Sequence, residues 1–267
     1  MLIPLNETTI QHHLTANACT LPIHFHLLAT VDSTNRFIKE RVGTKAIEVC
    51  CAETQTQGRG RFGRHWHSPF GENIYLSIRQ QINADITQLS GFSLVVSMAI
   101  WAALRPISSE HQVLIKWPND LLWQNRKLSG NLIEVISTHP GGPTDVVIGV
   151  GLNVNEAAHD EPMIDKPWCS LFDITAQRYD RNIVIAQLII EIEQHIEQLI
   201  NHGFVSFHPA WQAMDYLHHQ YITVSQATGT FSGLAQGVDG SGRLILVDDA
   251  NATHYLASGD TSITGAG

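Results

Sequence analysis

The alternation of apolar and polar positions divides the chain into short elements of two periods. Residues 23–31 and 46–52 read as strands, the second ending at Glu53-Thr54-Gln55. Between them Asp32-Ser33-Thr34-Asn35 offers capping side chains, with Phe37, Ile38 and Val42 apolar at helical spacing behind. Residues 73–80 alternate, with Ile74, Leu76 and Ile78 on one face and Tyr75, Ser77 and Arg79 on the other. Residues 89–104 predict a nearly buried helix, stopped by Pro106. Three strands are expected at 113–117, 121–123 and 126–136, broken at Pro118-Asn119-Asp120 and turned at Gln124-Asn125. Residues 146–154 form a further apolar strand, where Gly149 and Gly151 suggest close approach of another group to the backbone. Residues 181–200 predict the strongest amphipathic helix, through Ile185, Leu188, Ile189, Ile192, Ile196 and Leu199. A second helix is expected at 204–214, and residues 155–170 read as irregular.

At the two ends the pattern changes. Residues 1–20 form a polar lead with a helical turn or two around Ile10 and Leu14, too short for a helix-turn-helix domain. Beyond residue 218, short strands at 221–225, 230–236, 243–247 and 253–257 are separated by Gly and Asp turns. That spacing suggests a small β-barrel. The expected division is 1–217 and 218–267. The main body lacks regular βαβ alternation, which predicts an α+β fold with a mixed or antiparallel sheet.

Composition narrows the classes. A length of 267 residues, 43% hydrophobic and 15% charged, suits a globular core rather than disorder. The formal net charge of -9 argues against a general nucleic-acid binder. No basic leader precedes an apolar run, and no stretch is apolar enough to span a bilayer, so a cytoplasmic protein is expected. Cys19, Cys50, Cys51 and Cys169 show no paired spacing and read as reduced thiols. The histidine pairs His12-His13, His65-x-His67 and His218-His219 adjoin no second ligand pair and read as solvated or structural.

Against that acidic background, Gly58-Arg59-Gly60-Arg61-Phe62-Gly63-Arg64-His65-Trp66 stands out. Three arginines interleaved with three glycines describe a mobile cationic loop able to close over an anion. The literal G-x-G-x-x-G match fails as a dinucleotide fingerprint, because Pro69 and Gly71 follow where a helix should begin. Lys116-Trp117-Pro118-Asn119-Asp120 puts a cation and a carboxylate around a tight turn. That is either a surface ion pair or a phosphate-facing lysine beside a carboxylate able to hold Mg²⁺.

These runs, with Ser68-Pro69-x-Gly71, Arg126-Lys127-Leu128-x-Gly130 and Gly149-x-Gly151-x-Asn153 following in order, resemble the biotin protein ligase family. The resemblance covers residues 25–262. It implies a class II synthetase-like catalytic domain followed by an SH3-like barrel. The implied reaction activates biotin with ATP and Mg²⁺ to biotinyl-5′-AMP, then transfers biotin to a lysine of the biotin carboxyl carrier domain of acetyl-CoA carboxylase. No nucleic acid or membrane partner is implied, and a homodimer is left open.

Roles follow from the same resemblance. Ser33, Thr34, Asn35 and Gln55 would bind biotin, although Ser33 and Thr34 also read as a plain helix cap. Arg59, Gly60 and Arg61 would order over biotin and the adenylate, with Arg61 retaining the reactive anhydride and Lys127 bridging carboxylate and phosphate. Arg64, Trp66, Lys116, Asn119 and Asn153 would serve the nucleotide, and Asp120 the metal. Trp168 either stacks on adenine or is a half-buried loop tryptophan. Asn131 departs from the family pattern, in which an apolar residue is usual. Competing readings are a lipoate–protein ligase-like or octanoyl acyl transferase, a non-catalytic biotin-sensing regulator, and a plain nucleotide-binding module. The first lacks the arginine loop, the second has no use for Lys127, and the third leaves Ser33, Thr34 and Gln55 without a purpose.

Overall fold

A computed structural model describes residues 2–41, 46–108, 111–158 and 167–263. The N-terminal lead folds as helix α1 (Glu7–Ala16), capped by Asn6 and anchored by the buried Ile10 and Leu14. Strand β1 (Ile23–Val31), helix α2 (Thr34–Lys39) and strand β2 (Ile47–Gln55) follow, with β1 and β2 parallel. Val42, expected to close the first apolar stripe, lies outside the described residues. Strand β3 is Ile74–Ile82, and the long helix α3 runs from Phe92 to Ser108.

Strands β4 (Val113–Lys116), β5 (Asp120–Trp123), β6 (Arg126–Thr138) and β7 (Thr144–Leu152) complete a seven-stranded sheet of order β1-β2-β3-β7-β6-β5-β4. All its pairings except β1–β2 are antiparallel, as the expected mixed sheet requires. Gln124 and Asn125 both take positive φ, which a two-residue hairpin turn demands and Asn tolerates.

Four details differ from expectation. Helix α3 begins at Phe92, after a separate 3-10 turn at Ile86–Leu89, and passes through Pro106 to Ser108. The expected helix at 204–214 divides into a 3-10 turn (Phe204–Phe207) and one α-turn, α6 (His208–Trp211), with Pro209 in its first turn. A short helix α4 (Leu171–Thr175), missed in the sequence, starts at a capping box between Ser170 and Asp173. Beyond helix α5 (Arg181–His202), the C-terminal unit has a fifth strand. Strands β8 (Tyr221–Gln226), β9 (Gly229–Val238), β10 (Leu244–Val247), β11 (Thr253–Leu256) and β12 (Asp260–Ile263) form an antiparallel sheet of order β11-β10-β9-β8-β12.

One face of the large sheet is closed by α1, α3 and α5, whose apolar stripes meet Leu76, Ile78, Ile148 and Val150 in the main core. Each fully buried aliphatic side chain there contributes roughly 1.5–3 kcal/mol. Helix α2 lies on the opposite face, where Ile38 packs with Cys50 and Val147. The polar positions of β3 therefore do not face solvent. Tyr75, Ser77 and Arg79 are all buried beneath α2 and the segments beside it.

Buried charge is paired. The Arg181 guanidinium, at the start of α5, lies 2.6 Å from Glu53 and also donates to the carbonyls of Ile3 and Asn73. Arg79 pairs with Asp145 at 2.6 Å. The small sheet joins the body through Trp117 Nε1 to the Gly242 carbonyl, Ser90 Oγ to the Ser241 carbonyl and His208 Nε2 to the Val238 carbonyl. The four cysteines are free, as expected. Among the described residues no helix is long and apolar enough to cross a membrane.

Candidate active site

The α2 face of the sheet carries a polar network that begins at the helix N-terminus. Ser33 occupies the N-cap position but makes no capping bond with its side chain, so the plain-cap reading fails. The first helical amide, Thr34 N, instead donates to Gln55 Oε1 at the end of β2 (2.9 Å), and Thr34 Oγ1 approaches the same oxygen at 3.1 Å. Ser77 Oγ on β3 sits 2.8 Å from Thr34 Oγ1 and 2.6 Å from Asn35 Oδ1. Gln55 Nε2 continues the chain to Ser68 Oγ, which donates to the Trp66 carbonyl. Ser33, Thr34 and Asn35 are all nearly inaccessible to water.

Two glycines make this arrangement fit. A Cβ at Gly149 would lie 2.2 Å from Asn35 Oδ1, and one at Gly151 would lie 2.4 Å from the Trp66 indole. The expectation of close approach along β7 is thus met from two directions, by α2 and by the arginine loop.

That loop is a folded hairpin. Gly60 N donates to the Arg64 carbonyl at 2.7 Å and Trp66 N to the Gly58 carbonyl at 2.9 Å, with Arg59 and His65 bridged. Its turn places Phe62 (φ 57°) and Gly63 (φ 72°) in the left-handed region. Arg61 Nη1 donates to Asn119 Oδ1 at 3.0 Å. Burial lowers the pKa of Arg61 despite the attraction of Asp120 and Asp260. Arg64 forms an ion pair with Asp260 on β12, whose hydrogen bond raises the arginine's pKa. Arg59 lies 4.0 Å from Glu134, which also accepts from Asn35 Nδ2 (3.0 Å) and Lys39 (3.1 Å). Burial raises the Glu134 pKa, but the bonds from Asn35 and Lys39 outweigh it and leave a net lowering.

Beside the loop, Lys127 Nζ lies 2.8 Å from Asp120 Oδ1 and 5.2 Å from the centre of the Trp66 ring. Asp120 faces Lys116 across the β4–β5 hairpin, yet its ion pair is with Lys127 on β6. Lys116 Nζ turns toward the C-terminal unit and donates to the Thr261 carbonyl at 2.6 Å. The chain Thr34–Gln55–Ser68–Trp66–Lys127–Asp120 is therefore continuous, with Arg61 and Asn119 at its far end.

The remaining expected residues have structural duties. Asn153 uses its amide to hold the Cys169 and Lys127 carbonyls (3.0 and 3.4 Å). Trp168 is half-buried and bridges Lys127 through backbone bonds on either side of it. Residues 159–166 of that loop lie outside the description.

Three contributors were not picked out as site residues in the sequence. Ser77 showed only as the polar side of an alternating strand, Ser68 only as part of the Ser68-Pro69-x-Gly71 run with no role attached, and Glu134 gave no local signal. Asn131, unusual in its position, is fully engaged. It accepts from Ser93 Oγ (2.8 Å), donates to Ser97 Oγ (2.8 Å) and shares backbone bonds with Asn119. A cavity of about 380 Å³ lined by His111, Trp123 and Tyr216 includes none of the cluster's residues.

Comparison with known proteins identifies the family. The profile of the biotin/lipoate A/B protein ligase family matches residues 27–153, and that of the biotin protein ligase C-terminal domain matches residues 220–263. The chain is 32% identical to the bifunctional ligase/repressor BirA of Escherichia coli over 241 residues, 90% of this chain and 74% of that protein. It is also 32% identical to the biotin–[acetyl-CoA-carboxylase] ligase of Mycobacterium tuberculosis, over 96% of this chain and 95% of that protein. A biotin protein ligase from Aquifex aeolicus, solved with biotin and ATP, superposes with a TM-score of 0.76 at 26% identity, covering 90% of this chain and 97% of that one. Sequence and fold converge, and the chain belongs to the biotin protein ligases within the biotin/lipoate A/B protein ligase family.

Proposed function

We propose that this protein activates biotin with ATP to biotinyl-5′-AMP and transfers biotin to a lysine of the carrier domain of acetyl-CoA carboxylase in the cytoplasm. In this reading residues 1–217 are the catalytic unit and 218–267 a C-terminal unit that braces it. The observation that carries the reading is Lys127. Its ammonium sits against Asp120 and over the Trp66 ring, and hydrogen bonds through Gln55 and Ser68 tie the Trp66 backbone to Thr34.

The chemistry needs little covalent help from the protein. Biotin's carboxylate and the α-phosphate repel as they approach, and a cation between them offsets that repulsion. Lys127 supplies it. Thr34, Gln55 and the buried Ser33 and Asn35 hydrogen-bond the ureido ring and hold the carboxylate in line. Arg59, Gly60 and Arg61 cover the adenylate and keep water from the anhydride. Arg64, Trp66, Asn119 and Trp168 face the nucleotide. Lys116 and Asn153 reach it less directly, since each has a bond to a backbone carbonyl. A single carboxylate beside a phosphate-binding lysine suits Mg²⁺, which takes one or two carboxylates together with substrate phosphates. Asp120 would hold that ion, which when bound neutralises phosphate charge.

The test is direct. Purified protein with biotin and MgATP is expected to release pyrophosphate and then label an apo carrier domain. Activation of lipoate in place of biotin would refute the assignment. Lys127→Ala is expected to slow pyrophosphate release by roughly 10²- to 10³-fold, the usual cost of one transition-state electrostatic contact. Its melting temperature should stay close to that of the parent. Undiminished activity in that variant would remove Lys127 from the site.

A further inference from the structure

Two histidines outside the ligase site share a face of strand β1. His24 and His26 are two residues apart on an edge strand, so their side chains project to the same side. Glu48 on β2 stands in register with His24. Its Oε2 lies 3.3 Å from His24 Nδ1 and 2.7 Å from His26 Nε2. One ligand atom from each of the three residues falls within 4.8 Å of the others.

The surroundings grade from dry to wet. The side chains of Glu48 and His26 are only 5% and 11% exposed, while that of His24 is 64% exposed. A carboxylate so buried must be paired or must hold a metal. Two imidazole nitrogens and a carboxylate oxygen form a donor set that divalent transition ions favour, at bonds of about 2.0–2.2 Å. Tetrahedral coordination at such bonds separates ligand atoms by roughly 3.3–3.6 Å. The His24–Glu48 distance already meets that spacing, and the His26–Glu48 pair needs only a small parting. The His24 ring lies 4.6 Å from the His26 ring, and its exposed side leaves it room to adjust.

We propose that His24, His26 and Glu48 form a binding site for a divalent transition-metal ion, with Zn²⁺ as the expected occupant and water completing its shell. The site is separate from the ligase chemistry and from Asp120. It packs against α2, where the His26 ring meets Phe37 edge-on at 5.5 Å. His24-x-His26 has the same spacing as His65-x-His67, but its third ligand lies 22 residues beyond His26 and only the parallel β1–β2 pairing brings it alongside.

The experiment uses the full chain without biotin or ATP. Co²⁺ titrated at neutral pH is expected to give one saturable d–d absorption spectrum of four-coordinate intensity, which Zn²⁺ abolishes by displacement. His26→Ala and Glu48→Gln should each weaken binding by about tenfold or more. Should either variant unfold, His24→Ala decides the matter, because its exposed side chain can be removed without disturbing the core. Loss of about tenfold or more in affinity in His24→Ala supports the site. Unchanged Co²⁺ affinity in His24→Ala, or no saturable spectrum in the parent, overturns it.

Discussion

At residue 149 a methyl group would sit 2.2 Å from Asn35 Oδ1, closer than any relaxed contact allows. The strand cannot yield, because Gly149 is paired on both sides, with Ser77 and with Leu132. Gly149→Ala should therefore push α2 off the sheet, destabilising the protein by about 1–3 kcal/mol as overpacking does. The same shift would spoil Thr34 and Asn35, so biotin should raise the melting temperature of the variant much less than that of the parent. Equal stabilisation by biotin in both would show that α2 does not set the biotin site. At this scale much was legible. Arg61, Lys127, Asn119 and Asp120 lie in contiguous runs, where residue type and spacing carry the chemistry. Ser77 and Glu134 were not, because their meaning comes from Asn35, which reaches them only through the packing of α2.

Among the elements, the arginine loop repays most attention. Its glycines suggested mobility, yet its own backbone bonds fold it into a hairpin, and Arg64 fastens it to Asp260 on the C-terminal sheet. Exposed ion pairs contribute at most about 1 kcal/mol, so this latch governs local opening rather than global stability. Asp260→Ala should raise amide exchange at residues 58–66 while shifting the global unfolding free energy by less than about 1 kcal/mol. Unaltered exchange there would mean that the hairpin needs no latch. Pro106 offers the opposite lesson. Its rule as a helix breaker failed because α3 had only two residues left to run, and Ser108 Oγ still reaches the Leu104 carbonyl.

For the whole molecule, pH dependence exposes one cost of the fold. Burial pushes the Glu193 carboxyl up to about 7, offset in part by the hydrogen bond from Gln80. The folded state therefore holds this proton more tightly than the unfolded chain. Its contribution to stability is fully present below the unfolded carboxylate range and is lost as pH rises through about 7. Glu193 keeps some contact with water, which limits the effect to about 1–2 kcal/mol. Glu193→Gln should then be more stable than the parent at pH 8, with the gap closing toward pH 5. Parallel stability curves for the two proteins across that range would exclude the effect.

What the sequence determined by itself was everything carried by period and by contiguous motif. Most of the strand and helix pattern, four of the five C-terminal strands, the arginine loop and the lysine-aspartate turn follow from local spacing. What only the tertiary structure decided was partnership. Asp120 faces Lys116 in its own hairpin but pairs with Lys127. Thr34 N takes its acceptor from the end of β2 and not from its own helix cap. His24 and His26 acquire Glu48 through a parallel crossover. Each such pairing depends on which strands lie side by side. That arrangement is set by burying both sides of one sheet at once, a condition no single stretch of chain contains.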